Sequence, residues 1–303
     1  MRVLVLGGSG FIGSHVVDQL LAADVKVRVF DRGPERYREK LPGVEYLFGD
    51  FRDSVAVIEA LADCDVVLHL VTATVPGTAA MDPLADVRDN LLPTIALLEG
   101  MVKVKVPRLV YLSSGGTVYG VPEAVPTPEN HPLRPINSYG IVKVAIENYV
   151  TMYGREHGIS TVIIRPSNPY GPRQGHTGLQ GIIGTFLNRI LNDEAIQIWG
   201  DGSVVRDYIY VEDVARLCCR AAFGDRPGVY NAGSGSGLSV NEIVEALRDV
   251  TGKDIQPTYL PGRAIDVPRS VLDISQARAE FDWEPVVASR EGIDLTWKWM
   301  REL

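Results

Sequence analysis

Tyr139 and Lys143 lie four residues apart, a spacing that places both side chains on one face of a helix. A tyrosine is a poor base near neutral pH because its pKa is about 10. A lysine ammonium ~4 Å away, in an effective dielectric of ~20, would stabilise the phenolate by about 4 kcal/mol, or roughly three pKa units. Burial opposes part of this effect. The pair therefore predicts a proton-transfer device whose phenolic base is tuned towards neutrality.

A glycine-rich segment, Gly7–Gly13, stands between an apolar run and an amphipathic stretch. Glycines at Gly7, Gly10 and Gly13 would let the backbone approach a pyrophosphate at the N-terminus of the following helix. Asp31 follows Gly13 by eighteen residues, at the end of the second predicted strand. A carboxylate there binds a ribose 2′-hydroxyl and repels a 2′-phosphate, so the motif predicts NAD rather than NADP.

The elements that must position these residues alternate between strand and helix through the first half of the chain. Apolar runs predict strands at residues 3–6, 25–30, 44–48, 65–70, 108–113 and 161–164, and helical periodicity fills residues 11–23, 54–62, 90–101 and 141–157. Repeated strand–helix–strand units imply an α/β fold with a Rossmann-type, doubly wound parallel sheet.

The second half is richer in Gly and Pro and predicts a smaller, partly discontinuous C-terminal substrate cap. We expect an NAD-binding domain at residues 1–165 and a cap formed mainly by residues 166–303. Residues 229–232 are expected to return to the main sheet as a strand. Ser239 and Glu242 have the spacing of a capping box, which predicts a helix start.

Composition excludes several classes of protein. The formal net charge of −8 and the pI of about 5.2 argue against nucleic acid as a partner. The five histidines and three cysteines show no metal-ligand spacing, so no metal site is predicted, and unpaired cysteines suit a reducing cytoplasm. The opening strand predicts no signal peptide, and no apolar run approaches the ~20 residues of a membrane span.

Several further motifs complete a resemblance. They are Ser113–Gly120 (SSGGTVYG), Arg165–Pro172 (RPSNPYGP), Gly200–Gly202 (GDG), Arg206–Tyr208 (RDY) and the pair Arg263 and Asp266. With the glycine segment and the Tyr139–Lys143 pair, they resemble the extended short-chain dehydrogenase/reductase family over nearly the whole chain. Within that family the chain is similar to the UDP-sugar 4-epimerases.

The resemblance implies roles for individual residues. Catalysis would involve Tyr139, Lys143, Thr117 and Ser114. NAD would contact Gly7, Gly10, Phe11, Ile12, Gly13, Asp31, Asp50, Phe51, Leu70, Asn90, Tyr139 and Lys143. The UDP-sugar would contact Asn168, Arg206, Tyr208, Arg263, Asp266 and Ser270. A cationic guanidinium suits phosphate oxygens, which supports the two arginines on chemical grounds.

Two positions depart from the family pattern. The family usually has Ser or Thr at the position of Gly115, so the hydroxyl that orients the sugar would come from Thr117, Ser114 or a water, and we favour Thr117. The segment His69–Thr72 reads His-Leu-Val-Thr where His-Leu-Ala-Ala is more usual, and His69 is expected to be a core residue.

The same segment narrows the reaction. Nucleotide-sugar 4,6-dehydratases carry Asp-Glu at the positions of Gly116 and Thr117, and neither acid is present. We therefore predict NAD-dependent 4-epimerisation of a UDP-hexose. The small Ser270 would also admit an N-acetyl group, so UDP-GlcNAc joins UDP-Glc as a predicted substrate.

Three alternatives stay open at this point: a UDP-glucuronic acid 4-epimerase, another nucleotide-sugar oxidoreductase or decarboxylase, and a non-catalytic NAD-sensing regulator. By resemblance, we also expect a homodimer formed through the helices at 90–101 and 141–157.

Overall fold

The computed structural model describes residues 1–175, 181–262 and 267–303 of the chain. Arg263 and Asp266, two of the predicted substrate contacts, lie outside the described residues. In these described ranges no helix is long and apolar enough to cross a membrane.

The strands are β1 (Arg2–Leu6), β2 (Lys26–Asp31), β3 (Val44–Phe48), β4 (Val66–His69), β5 (Arg108–Leu112), β6 (Ser160–Pro166), β7 (Asn168–Tyr170), β8 (Gln197–Trp199), β9 (Val205–Arg206), β10 (Tyr208–Tyr210), β11 (Gly228–Ala232), β12 (Leu238–Ser239), β13 (Thr258–Leu260) and β14 (Arg269–Ser270). The helices are α1 (Phe11–Ala22), α2 (Ser54–Ala60), α3 (Pro76–Met81), α4 (Pro83–Asp86), α5 (Leu92–Val104), α6 (Ser138–His157), α7 (Ile182–Leu191), α8 (Val211–Phe223), α9 (Val240–Thr251), α10 (Ser275–Phe281) and α11 (Ser289–Glu302). A π-helical turn, Val87–Leu91, joins α4 to α5.

The described strands include a seven-stranded parallel sheet in the order β11-β6-β5-β4-β1-β2-β3. The strand order reverses between β1 and β4, which is the switch point where ligands bind in open α/β sheets. The Rossmann-type sheet predicted from the strand–helix alternation is confirmed. Residues 229–232 lie in β11, which pairs in parallel with β6 at the edge of this sheet.

The side chains of β1 show why this sheet is covered on both faces. Val3 and Val5 pack into one apolar cluster, and Leu4 and Leu6 pack into the other. Successive strand residues point to opposite faces, so a continuous apolar run belongs to a strand buried on both sides. Helices α1 and α8 cover the first face, and α2, α5 and α6 cover the second.

Much of the second half of the described chain forms a third apolar cluster, away from the sheet. Residues of α7, α9 and α11 enclose it together with β8 and β10. Helix α9 begins at the predicted capping box, in which Ser239 and Glu242 satisfy each other's backbone amides. The chain crosses between the two units more than once, since α8, β11 and α10 follow cap strands and yet pack on the main sheet.

Candidate active site

The glycine loop brings the backbone of β1 close to that of β4. Gly7 has a φ of +85°, and a side chain there would place its Cβ 2.9 Å from the Val71 amide nitrogen. A Cβ on Gly13 would collide with the carbonyl of Gly7. Helix α1 starts at Phe11, and its N-cap residue, Gly10, provides no side-chain cap. The first amides of α1 are therefore available to an anion.

A cavity of about 500 Å³ begins at this loop and runs along the carboxyl ends of the parallel strands. Its walls contain most of the predicted cofactor residues: Gly7, Gly10, Phe11, Ile12, Gly13, Asp31, Asp50, Phe51, Leu70, Tyr139 and Lys143. Its size is in the range of small-molecule and cofactor sites.

Asp31 ends β2 at one extremity of this cavity. Its carboxylate accepts hydrogen bonds from the Ser9 amide at 3.0 Å and the Arg32 amide at 2.7 Å. Burial raises the pKa of Asp31, and these two hydrogen bonds oppose the rise. The carboxylate is thus held in one place with lone pairs remaining for a ribose diol.

Asp50 and Phe51 follow β3 on the same side of the cavity. The Asp50 carboxylate is engaged by Arg52 at 2.9 and 2.6 Å, and this hydrogen bonding lowers the pKa of Asp50 to about 2. Phe51 is buried and packs against the ring of His69 with centroids 5.0 Å apart. Phe51 therefore offers an apolar surface at the place predicted for adenine.

The helix that carries Tyr139 and Lys143 begins earlier than the predicted residue 141. Asn137 caps α6 by accepting a hydrogen bond from the Gly140 amide at 2.8 Å, so the helix starts at Ser138. Tyr139 consequently lies in the first turn, where the positive end of the helix dipole favours a phenolate. Both side chains line the cavity, as the four-residue spacing predicts.

Lys143 does not, however, bring the pKa of Tyr139 near neutrality, and that expectation is wrong. Burial raises the pKa of Tyr139 to about 12 and lowers the pKa of Lys143 to about 8. The Lys143 ammonium donates to the Leu112 carbonyl at 2.9 Å and lies 4.9 Å from the centre of the Tyr111 ring. Burial of the phenol is thus the largest influence on the pKa of Tyr139.

A buried ion pair stands behind this centre, one helical turn beyond Lys143. Glu147 accepts hydrogen bonds from Arg165 at 2.6 and 3.0 Å and also from the Ser113 hydroxyl. Arg165 donates further to the Tyr119 hydroxyl at 2.9 Å. The pair ties α6 to the ends of β5 and β6, and it lies in the core rather than on the cavity wall.

Asn90 lies in the π-helical turn, a distortion that often accompanies functional sites. Its side-chain nitrogen donates to Asp86 and to Thr74, each at 3.0 Å. Its oxygen accepts from the Ala73 amide at 2.7 Å. Asn90 therefore holds the segment after β4, and its neighbour Asp89, rather than Asn90 itself, lines the larger cavity.

Asp86 is completely buried and receives three hydroxyl or amide donors. Thr74 donates at 2.7 Å, Asn90 at 3.0 Å and Ser138 at 3.0 Å. These charge-assisted hydrogen bonds are the strong kind, and they fix the start of α6 against the π-helical turn. The position of Tyr139, next to Ser138, depends on this cluster.

The three hydroxyl positions considered for the sugar differ in placement. Ser114 lines the cavity together with Tyr139. The Thr117 hydroxyl oxygen is buried, has no hydrogen-bond partner among the described residues and is not on the cavity wall. Gly115 is buried, and a Cβ there would lie 2.6 Å from Leu272 Cδ1 and 2.9 Å from the Arg165 carbonyl oxygen. The placement of Thr117 does not add support to the preference for it.

The predicted substrate residues that the structure describes lie on four short strands, β7, β9, β10 and β14. The Asn168 side chain donates to the Asp207 carbonyl at 2.7 Å, between Ser167 and Pro169, which both line the cavity. Ser270 pairs with Arg206 in the register of β14 and β9 and is half-buried, so it is not an exposed loop serine.

The two other substrate-side chains are engaged within the protein. Arg206 donates to the Val205 carbonyl at 2.9 Å and the Val267 carbonyl at 2.6 Å. Tyr208 is 7% exposed and belongs to the apolar core of the cap.

Sequence reasoning missed the residues that support the site from behind. Asp86 and Glu147 each carry a buried carboxylate cluster, hydrogen bonding by Thr72 lowers the pKa of Tyr139, and Gln174 lines the cavity. A signal was present for Glu147, which stands four residues after Lys143 and so shares its helix face. Asp86, Thr72 and Gln174 gave no such signal, because the residues they act with are not their neighbours on one helix face.

Taken together, the glycine cradle, the uncapped start of α1 and the carboxylate at Asp31 fit a dinucleotide with an unmodified ribose. The fold and site define a class: dinucleotide-binding α/β enzymes with a Tyr–Lys pair. The sequence model of the NAD dependent epimerase/dehydratase family matches residues 3–233. The chain belongs to this family.

Several relatives are similar along their full length. The UDP-glucose 4-epimerase of Mycolicibacterium smegmatis is 35% identical over 309 residues, covering 99% of this chain and 99% of that protein. The crystal structure of Thermotoga maritima UDP-glucose 4-epimerase with UDP-glucose has a TM-score of 0.95 and 36% identity, covering 100% of this chain and 99% of that one. That of the Thermus thermophilus enzyme with NAD has a TM-score of 0.92 and 37% identity, covering 99% of each chain.

Proposed function

We propose that this protein is an NAD-dependent UDP-hexose 4-epimerase that interconverts UDP-glucose and UDP-galactose. One observation carries the proposal: a single cavity joins the dinucleotide cradle at Gly7–Gly13 to the Tyr139–Lys143 pair. The full-length similarity to UDP-glucose 4-epimerases supports the same substrate class.

In this mechanism Tyr139 accepts the proton of the sugar 4-hydroxyl and later returns it. NAD, when bound along the cavity, would take the C4 hydride and give it back to the opposite face of the 4-keto sugar. Asp31 would hold the adenosine ribose, and Lys143 would keep a positive charge near the developing phenolate. The π-helical turn and the Asp86 cluster hold α6 so that the phenol faces the cavity.

The nucleotide sugar would bind mainly to residues 166–303. Asn168 stands between cavity-lining residues, and Arg206 and Ser270 are register partners close by. We assign Arg206 and Arg263 to the pyrophosphate and Asp266 to the ribose of the nucleotide. Tyr208 would support this surface from the core of the cap.

We further propose that UDP-GlcNAc is a substrate, because Ser270 is small. Ser270→Tyr should then lower turnover of UDP-GlcNAc at least tenfold while sparing UDP-Glc. Ser270→Ala is the matched control and should retain both activities. N-acetyl turnover that survives Ser270→Tyr would show that this position does not gate the sugar.

Proton NMR tests the function directly. The purified protein with catalytic NAD and UDP-glucose should yield the anomeric signal of UDP-galactose with no net NADH. Steady NADH formation or a new product would instead identify an oxidoreductase or decarboxylase. Turnover of UDP-glucuronic acid alone would identify the uronic acid epimerase, and NAD binding without any turnover would indicate a sensor.

We also propose a cytoplasmic homodimer. Cys64, Cys218 and Cys219 are free and buried, which suits a reducing compartment. Leu92 at the start of α5 and Ile141 on α6 are 55% and 56% exposed, and a four-helix interface built from these helices would cover them.

Light scattering should give about twice the 33.1 kDa chain mass. Ile141→Asp should shift the protein towards monomer, whereas Val286→Asp, at a 65% exposed site away from these helices, should not. A monomer mass for the unaltered protein would contradict the dimer.

A further inference from the structure

Gly115 has no side chain, so it cannot provide the hydroxyl that the family usually has at this position. A side chain there would meet Leu272 Cδ1 at 2.6 Å and the Arg165 carbonyl oxygen at 2.9 Å, so this position is closed to a hydroxyl-bearing residue. Thr117 does not line the cavity. A hydroxyl that supports the phenolic base must therefore come from Ser114, which lines the cavity with Tyr139, or from another element of the fold.

Thr72 meets this requirement from the end of β4. It is exposed on the cavity wall that also contains Tyr139, and both residues line a second, smaller cavity behind the site. The Thr72 hydroxyl lies close enough to the Tyr139 phenol for hydrogen bonding between them to lower the pKa of Tyr139. It donates to the Thr74 carbonyl at 3.1 Å and lies 3.4 Å from the Asn90 side-chain oxygen.

We propose that Thr72 is a positioning residue for the phenolic base, and that its hydroxyl takes over at Tyr139 the supporting role for which Gly115 has no side chain. This inference rests on the proposed function, since it assigns Tyr139 as the base. It connects the two positions at which the sequence departs from its family.

The chemistry of a hydroxyl suits both protonation states of Tyr139. While Thr72 donates to the Thr74 carbonyl, its oxygen can accept the phenol proton as a hydrogen bond. When the phenol loses its proton, the hydroxyl can rotate and donate to the phenolate. Hydrogen bonds to a charged partner are the stronger ones, so Thr72 favours the phenolate and lowers the pKa of Tyr139.

The other groups around Tyr139 do not provide this support. Asp86 faces it from the end of α4 and raises its pKa. Lys143, on the same helix, donates to the Leu112 carbonyl. Tyr111 on β5 and His69 on β4 are buried, and burial favours their neutral forms. Among the groups that shift the pKa of Tyr139, Thr72 is the one that lowers it.

The test compares Thr72→Val, which keeps the shape, with Thr72→Ser, which keeps the hydroxyl. Because Thr72 is exposed, neither change should alter the thermal midpoint. For Thr72→Val we expect kcat/KM for UDP-glucose at pH 7 to fall about ten- to a hundredfold, the equivalent of one hydrogen bond to a charged group. The acid limb of the pH profile should move to higher pH, and Thr72→Ser should restore both values.

An acid limb that stays in place in Thr72→Val, or a serine variant as impaired as the valine variant, would overturn the inference. A second readout needs no turnover: the ¹³Cζ resonance of Tyr139, assigned with Tyr139→Phe, should shift in Thr72→Val and return in Thr72→Ser. An unmoved resonance would overturn the contact. If the unaltered protein epimerises no UDP-sugar, the proposed function fails, and this resonance still decides the contact by itself.

Discussion

The Lys143 ammonium lies 5.6 Å from the centre of the Tyr139 ring, one helical turn away on α6. Both residues are buried, and both line the cofactor cavity. In this setting neutral forms are favoured, and the phenolate must be stabilised at the moment of proton transfer. Four residues of spacing therefore position the base but do not by themselves activate it.

Removing the Tyr139 hydroxyl should remove the base and leave the fold intact. We expect Tyr139→Phe to lower kcat for UDP-glucose by at least about a thousandfold, since positioned acid–base groups typically contribute ~10²–10⁴. The affinity for NAD, measured by isothermal titration calorimetry, should change little. Activity close to that of the unaltered protein would show that another group is the base.

His69 should make the protein sensitive to acid. Burial lowers the pKa of His69 to about 3, below its unfolded value, so the unfolded state takes up the proton first as the pH falls. Stability is complete above pH ~6.5 and is lost progressively as the pH falls towards ~3, with about 2 kcal/mol lost per such histidine between pH 7 and pH 5.

Urea denaturation at pH 7 and at pH 5 measures this loss of unfolding free energy. His69→Gln should reduce the acid-dependent loss of unfolding free energy by about 2 kcal/mol. His157, which is exposed at the end of α6, supplies the control, and His157→Gln should leave the loss unchanged. An equal loss in both variants would mean that His69 is not held neutral by burial.

Gly115 should not accept the side chain that its family usually carries. Gly115→Ser should lower the unfolding free energy by about 1–3 kcal/mol, because its Cβ overlaps Leu272 and a backbone carbonyl. Gly116→Ser is the matched control: Gly116 is exposed and its nearest contact would be 3.8 Å away. The two variants should be compared by urea denaturation, and equal stability would contradict the close packing at Gly115.

The Glu147–Arg165 pair should be a strong structural link. Both side chains are 4% exposed, so Arg165→Met leaves a buried carboxylate without its partner. We expect a loss of about 3–5 kcal/mol in unfolding free energy, measured by chemical denaturation. The exposed pair Arg134–Glu123 gives the comparison, and Arg134→Met should cost less than about 1 kcal/mol.

The sequence predicted the features that depend on local pattern. The apolar runs gave the parallel strands, and the Gly7–Gly13 spacing with Asp31 placed the cofactor cradle. The start of α6 was placed too late, although Asn137 is a local capping signal; the contribution of the distant Asp86 carboxylate could not be predicted from sequence spacing. The high pKa of Tyr139 could not be predicted from the sequence either, because it depends on how completely the folded protein buries the phenol.

The positions of Thr72 and Thr117 relative to the cavity could not be predicted from the sequence either. In the sequence Thr72 is an ordinary residue after a strand. Its position beside Tyr139 of α6 is visible only in the folded structure. Thr117 looked suitable from its place in the Ser113–Gly120 segment, but strand-end geometry turns its hydroxyl away from the cavity wall. Side-chain direction after the end of a strand is not fixed by sequence spacing.

The central claim is that the sugar is oxidised at C4 and receives the same hydride back. UDP-glucose carrying deuterium at C4, incubated in ordinary water with the protein and catalytic NAD, tests this by ²H and ¹H NMR. The account predicts UDP-galactose that keeps the deuterium at C4, with no net NADH. Deuterium lost to solvent, or one NADH released for each sugar consumed, would contradict it.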